Sequence, residues 1–265
     1  MYEFSYHRPA SVADAATLLA SHEEAKLLAG GQTYLPTLKQ RLAQPSDLID
    51  LGGIAELKGI KEDGNGVTIG AMTKHGEVAE SAIVKKLIPA LANLAHLIGD
   101  PAVRNRGTIG GSISNNDPAA DYPGACLALG ATIRTSKREI KAEDFFTGMF
   151  ETALERDEIV KAVHFPKADK AAYEKFRNPA SRYAMVGAFV AKTGSGVKVA
   201  VTGAGQGGAY RWTEAEQALG CNWSPAALDG LTVSPDDLNS DIHASAEYRA
   251  HLVKVIAKRA LAKAG

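Results

Sequence analysis

The chain has 265 residues, a formal net charge of zero, 45 % hydrophobic and 23 % charged residues. That length supports a substantial core divided into two or three lobes. The balanced charge argues against nucleic acid as the main partner, because binding phosphate needs concentrated positive charge. No apolar run reaches the roughly 18 residues of a membrane span, and the opening MYEFSYHRPA lacks the basic-then-apolar order of a secretion signal. The expected compartment is the cytoplasm.

SVADAATLLASH (11–22) predicts a helix, with Ser11 as N-cap and Val12, Ala15, Ala16 and Leu19 as its apolar stripe. KLLAGG (26–31) predicts a short buried strand running into a glycine turn, followed by a short helix or turn over 33–42. DLIDLG (47–52) predicts another buried strand. Residues 1–55 therefore form an N-terminal α/β lobe. GVTIGAMT (66–73) reads as a strand. Residues 75–99 are mostly helical, with Leu87, Leu91, Leu94 and Leu97 recurring and Pro89 dividing the segment into two helices. A loop containing TIGGS follows, then a small-residue helix turning into a strand over 124–136. EIVKAVHFP (158–166) is a strand ended by Pro166. These elements make a second lobe, residues 56–170. From Tyr173 onward come strands with a turn at 194–196, turn-rich chain over 221–241, and a terminal helix over 244–264. This third unit, residues 171–265, reads as α+β.

Cys126 and Cys221 lie far apart in the sequence. A zinc ribbon or an iron–sulfur cluster needs about four ligands, so both are read as plain thiols. The histidines are scattered, and no metal is expected on this chain.

The stretch 100–124, DPAVRNRGTIGGSISNNDPAADYPG, carries the strongest functional signal. It holds Gly110 and Gly111, flanked by the hydroxyls of Thr108 and Ser112, and then Asp117 and Asp121. A second glycine pair, Gly30 and Gly31, stands upstream in AGGQT beside Gln32 and Thr33. One glycine pair alone reads first as a tight turn. Two, each able to bring bare backbone N–H groups to anionic oxygens, suit a dinucleotide diphosphate, with an acid for ribose hydroxyls. This is read as a site for flavin adenine dinucleotide. GAGQGG (203–208) also fits the GxGxxG spacing, but no second strand with a terminal acid follows, so it is read as a glycine-rich loop. Tyr183 reads as a strand tyrosine packed across the sheet or as a ring stacked on flavin. Arg177 reads as a solvated strand charge or as a cation stabilising reduced flavin. No nucleophile elbow or hydrolytic triad is present.

The segments FSYHRPASVADA, LLAGGQTYLPTLKQRLAQPSDLIDL, VTIGAMT, RNRGTIGGSISNNDPAADYP, EIVKAVHFP, YEKF and the terminal AEYR helix together resemble the FAD-binding medium subunits of molybdenum hydroxylases, the xanthine dehydrogenase family. The likeness is greatest to the carbon monoxide dehydrogenase type. The resemblance implies an α+β fold: a vanillyl-alcohol oxidase-type FAD-binding fold in two lobes plus a C-terminal domain of the carbon monoxide dehydrogenase flavoprotein type. It implies non-covalent FAD here, with [2Fe–2S] clusters and molybdopterin held only by a small and a large partner subunit, in a dimer of heterotrimers. It assigns Ala29, Gly30, Gly31, Gln32 and Thr33, and Thr108, Ile109, Gly110, Gly111 and Ser112, to the diphosphate. Asn115 and Asp121 fall on further FAD contacts, Asp121 near a ribose. Val160 borders the isoalloxazine and Tyr183 stacks on it. Arg177 stands where a lysine is usual, Gln32 where histidine is common and Ser112 where asparagine is common. The implied role is electron transfer from the clusters through FAD to an acceptor. A self-sufficient FAD oxidase or dehydrogenase, and a non-enzymatic assembly subunit, are the alternatives.

Overall fold

The computed structural model describes residues 1–265 as helices packed around three main sheets. The first sheet is parallel, in the order β1 (Ser5–His7), β3 (Asp47–Asp50), β2 (Lys26–Leu28). Helix α1 (Val12–Ser21) joins β1 to β2, and α2 (Tyr34–Lys39) joins β2 to β3. The Ser11 hydroxyl accepts the Asp14 N–H at 3.1 Å and starts α1. Val12, Ala15 and Leu19 then meet Ile49, Leu51 and Ile54 in a small core. Met72 and Ile159, from farther along the chain, close that core from below.

The second sheet is antiparallel, built from β4 (Ile60–Asp63), β5 (Gly66–Gly70), β6 (Thr132–Thr135), β7 (Glu139–Lys141) and β10 (Val160–Pro166) in the order β4-β5-β10-β6-β7. Helices α3 (His75–Glu80), α4 (Ala82–Leu87), α5 (Pro89–His96), α6 (Pro101–Arg104), α7 (Ile109–Asn115), α8 (Asp121–Leu129) and α9 (Ala142–Phe145) surround it, with a small hairpin of β8 (Phe146–Gly148) and β9 (Glu151–Thr152). The helical segment holds three helices where two were expected. Pro89 does open α5, but Ser81 also breaks the run, turning extended and accepting the Val84 N–H at 3.3 Å to cap α4. TIGGS is not a loop: α7 begins at Ile109 with Thr108 as its cap. Every residue of α8 is buried, so it shows no apolar stripe.

The third sheet is antiparallel, in the order β11 (Lys170–Arg177), β12 (Ala184–Thr193), β13 (Gly196–Thr202), β14 (Tyr210–Arg211). Side chains alternate along β12. Val186, Ala188 and Val190 pack with α10 (Thr213–Cys221) and α11 (Ala246–Ala264). Phe189 and Ala191, with Tyr173 and Ala200, enter the core formed by the second sheet and its helices. Both faces are covered, which is why the sequence shows a continuous apolar run there instead of an alternating one. GAGQGG leads into β14, not into a helix. Its Gly203 has φ +81°, and a Cβ there would stand 2.3 Å from the Ala184 carbonyl oxygen. The loop is a close-packed turn without the strand–loop–helix of a dinucleotide fingerprint. No helix is long and apolar enough to cross a membrane.

Candidate functional site

A cleft of about 640 Å³ opens between the three main sheets, lined by residues from Lys26 to Tyr183, within the size range of cofactor sites. The turn after β2 forms one wall. The chain from Gly107 through α7 to Asp121 forms another. Val160 and its neighbours, and the tip 181–183 before β12, complete it.

The turn is shaped by its glycines. Gly31 has φ +71°, a region that side-chain-bearing residues rarely adopt. At Gly30 a Cβ would lie 2.4 Å from the Arg106 carbonyl oxygen and 2.7 Å from Gly107 Cα, so two backbones touch there. The N–H groups of residues 30–34 donate to no backbone carbonyl. A run of unspent donors at a cleft wall, leading into the start of α2, is a preformed cradle for anionic oxygens. Ala29, Gly30, Gly31, Gln32 and Thr33 all line the cleft.

TIGGS differs from the expected second cradle. Four of its five backbone donors are spent on the protein: Ile109 N–H on Thr73 O at 3.1 Å, Gly110 N–H on Ala71 O at 2.8 Å, Ser112 N–H on Thr108 O at 3.0 Å, and Gly111 N–H on Thr108 Oγ1 at 3.2 Å; the Thr108 N–H donates to no protein atom. Gly110 serves packing, because a Cβ there would meet Ala71 Cβ at 2.6 Å. Gly111 faces Ala29 Cβ across the lobes, 3.3 Å from where its own Cβ would be. Thr108, Gly110, Gly111, Ser112 and Asn115 line the cleft as a smooth wall. Ile109 does not, since its fully buried side chain belongs to the core.

Asp121 borders the cleft, but its carboxylate is engaged inside the protein. Both oxygens accept from Lys175 Nζ at 3.0 Å, and Oδ1 also accepts from the Tyr173 hydroxyl. Burial pushes the Asp121 carboxyl up against the pull of Lys175 and Tyr173. Asp117 is half-buried on the cleft and its carboxyl is likewise raised by burial; that carboxylate accepts only the Ala119 N–H, at 2.8 Å. Arg177 is a correction. The register irregularity beside it places its extra residue, Met185, on β12, and Arg177 itself stands exposed at the end of β11 and does not line the cleft. The buried cation on that strand is Lys175.

Tyr183 stands at the rim, 45 % exposed, just before β12 rather than inside a strand. Burial, with Asp117 and Asp121 nearby, raises its hydroxyl pKa. The Asn178 N–H donates to Tyr183 O at 2.8 Å. Arg182, in a left-handed conformation (φ 62°), donates from Nη1 to Gly99 O at 3.3 Å, tying this tip to the second unit. Val160 sits on the cleft after Glu158, whose carboxylate accepts from Arg138 Nε at 3.1 Å and Nη2 at 3.0 Å. Burial opposes that charge, yet hydrogen bonds from Arg138, the Glu155 N–H and Thr135 bring the Glu158 pKa down to about 2.

Several lining residues carried no signal in the sequence: Met72, His75, Ile98, Phe150, Leu154 and Arg182. Phe150 is held by backbone geometry. It has φ 58°, its N–H donates to Asn116 O at 3.1 Å, and Asn116 Nδ2 donates to Gly148 O and Glu151 O at 2.8 Å each.

Comparison with known proteins agrees with this geometry. Residues 2–168 match the family described as the FAD binding domain in molybdopterin dehydrogenase, and residues 171–264 match the CO dehydrogenase flavoprotein C-terminal domain. The chain is 37 % identical to the nicotine 6-hydroxylase medium subunit of Paenarthrobacter nicotinovorans, covering 98 % of this chain and 96 % of that one. It is 35 % identical to the carbon monoxide dehydrogenase medium chain of Hydrogenophaga pseudoflava, covering 97 % and 96 %. Its fold superposes on a chain of the reconstituted CO dehydrogenase from Oligotropha carboxidovorans with a TM-score of 0.91 at 34 % identity, covering 99 % and 98 %. The chain belongs to the family of FAD-binding flavoproteins of molybdopterin dehydrogenases.

Proposed function

We propose that this chain binds FAD non-covalently in the cleft and is the electron-transfer subunit of a heteromeric molybdenum hydroxylase. Electrons come from the [2Fe–2S] clusters of a small partner subunit, which a large molybdopterin subunit feeds, and leave to an external acceptor. The observation that carries this reading is the run of unspent N–H donors over 30–34, facing a cleft of cofactor size in a chain of this family. Bound FAD supplies the redox chemistry, taking up electrons and passing them on. The chain's own residues bind and orient it. Ala29, Gly30, Gly31, Gln32 and Thr33 cradle the diphosphate, and Thr108, Gly110, Gly111 and Ser112 form the wall against which it lies. Asn115 and the Asp117–Asp121 turn lie toward the sugar hydroxyls. Val160 and Tyr183 shield the flavin ring from water. Two FAD-binding lobes, 1–55 and 56–170, and a C-terminal domain, 171–265, divide the work, and the complex is a cytoplasmic dimer of heterotrimers. Substrate binds the large partner, so carbon monoxide, purines, aldehydes and N-heterocycles are all compatible with this chain.

The test uses the FAD-loaded chain, alone and with its partner subunits, mixed anaerobically with candidate substrates. Flavin absorbance should bleach only when the partners are present. Bleaching by the lone chain favours a self-sufficient flavoenzyme instead. A purified complex whose medium subunit carries no flavin removes the reading altogether. Denaturation should release the flavin; flavin that stays with the polypeptide overturns the non-covalent assignment.

A further inference from the structure

His75 opens α3 and borders the cleft, yet it is only 5 % exposed. Its Nδ1 is buried and has no hydrogen-bond partner in the protein. A buried polar atom left unpaired costs the desolvation of that atom, and native proteins seldom leave one so. The ring is fixed in place. A Cβ on Gly107 would stand 2.6 Å from His75 Nε2 and 2.8 Å from Cδ2, so the imidazole lies directly on the Gly107 backbone. The His75 N–H donates to Gly107 O at 3.0 Å, tying the main chain to the same place. The Tyr122 ring, 5.4 Å away between centroids, backs it. Tyr122 is fully buried and its hydroxyl also lacks a partner. Of the two, only His75 reaches the cleft.

We propose that His75 is a further cofactor-contacting residue, its imidazole hydrogen-bonded to a hydroxyl of the molecule that fills the cleft. The inference rests on the FAD reading, in which the ribityl and ribose groups supply such hydroxyls. Burial, with Arg104 nearby, lowers the His75 pKa to about 4, so the ring is neutral at physiological pH. A neutral imidazole has one donor and one acceptor nitrogen. Nδ1 is sealed from the cleft, so the nitrogen that meets the cofactor is Nε2, which lies over Gly107 at the cleft wall and has no protein partner either. A hydroxyl donates and accepts, so it serves Nε2 in either tautomer, whereas a diphosphate oxygen serves only the N–H form. Gly107 is explained by the same contact, since any side chain there displaces the ring.

The experiment compares wild type, His75→Gln and His75→Leu, each purified with the partner subunits, stripped of FAD and titrated with FAD by flavin fluorescence. Thermal melting of each FAD-free chain is recorded in parallel. His75→Leu should weaken FAD binding by about tenfold or more, the scale of one buried hydrogen bond. His75→Gln, whose amide donates and accepts, should recover most of that loss. The FAD-free His75→Leu chain should melt no lower than wild type, because an unpaired polar atom has been removed. Unchanged FAD affinity in His75→Leu overturns the proposal, as does a glutamine variant as weak as leucine. A drop in FAD-free melting with FAD affinity intact also overturns it, leaving His75 a structural role only. Failure of wild type to bind FAD strikes the FAD reading itself, and so is distinct from failure of the His75 contact.

Discussion

Tyr183 is a half-exposed rim residue on a tip tied down through backbone and through Arg182. Stacking of a planar base on an aromatic ring is worth about 1–3 kcal/mol. Tyr183→Ala should therefore weaken FAD binding by roughly tenfold or more and shift the flavin absorption spectrum. Tyr183→Phe should stay close to wild type, because the π face is kept. Equilibrium titration and visible spectra of the three proteins decide it. Glu158 gives a second expectation at this scale. Its pKa falls from 4.5 to about 2 on folding, so its contribution to stability is fully present above pH 4.5 and fades as pH drops through about 2. Glu158→Gln loses the charge but keeps the shape. It should cost on the order of 2 kcal/mol at neutral pH, the scale of hydrogen bonds to a charged group. The gap from wild type should narrow below pH 4.5 in urea unfolding curves.

At the scale of elements, the start of α7 is the most informative. Glycine disfavours helix, and two in a row read as a loop in the sequence. Tertiary bonds decide otherwise: the first N–H groups of α7 are held by Thr73, Ala71 and Thr108, and Gly110 lets the helix sit against Ala71. Gly110→Ala should therefore destabilise, even though alanine favours helix, by about 1–3 kcal/mol of overpacking. A lower melting temperature with α-helical circular dichroism retained is the expected result. What the sequence made legible follows the same logic. The stripe Val12, Ala15, Leu19 reported a helix whose burial is set by its period, and the unbroken apolar run of β12 reported a strand covered on both faces. Gly30 and Gly31 were legible because a backbone that must approach another backbone excludes a side chain. Strands β1, β4 and β7 were not seen, being short and largely open to solvent. Arg177 was assigned through its likeness to a family position and not by periodicity, and it stands exposed at the end of β11, outside the cleft. His75, Phe150 and Arg182 come from distant parts of the chain and meet only after folding.

At the scale of the whole molecule, the buried Lys175–Asp121 pair joins β11 to the first turn of α8, and Tyr173 adds a third member. Removing one partner strands the other charge in the interior, which costs about 3–5 kcal/mol. Lys175→Met should therefore lower the urea midpoint sharply. Its unfolding should remain a single transition if the units that share this pair unfold together, and two separated transitions would show them to be independent. The third sheet bears on how such a chain can be dissected. The boundary between the two family matches falls near residue 170, which invites a cut there. The inner face of the third sheet, with Tyr173, Phe189, Ala191 and Ala200, is core to the piece before the cut. Each fragment alone would show a raw apolar surface, the first also an unpaired Asp121 carboxylate and the second an orphaned Lys175 ammonium. Neither half should therefore fold on its own, and co-expression of the fragments should yield soluble protein where separate expression yields aggregates.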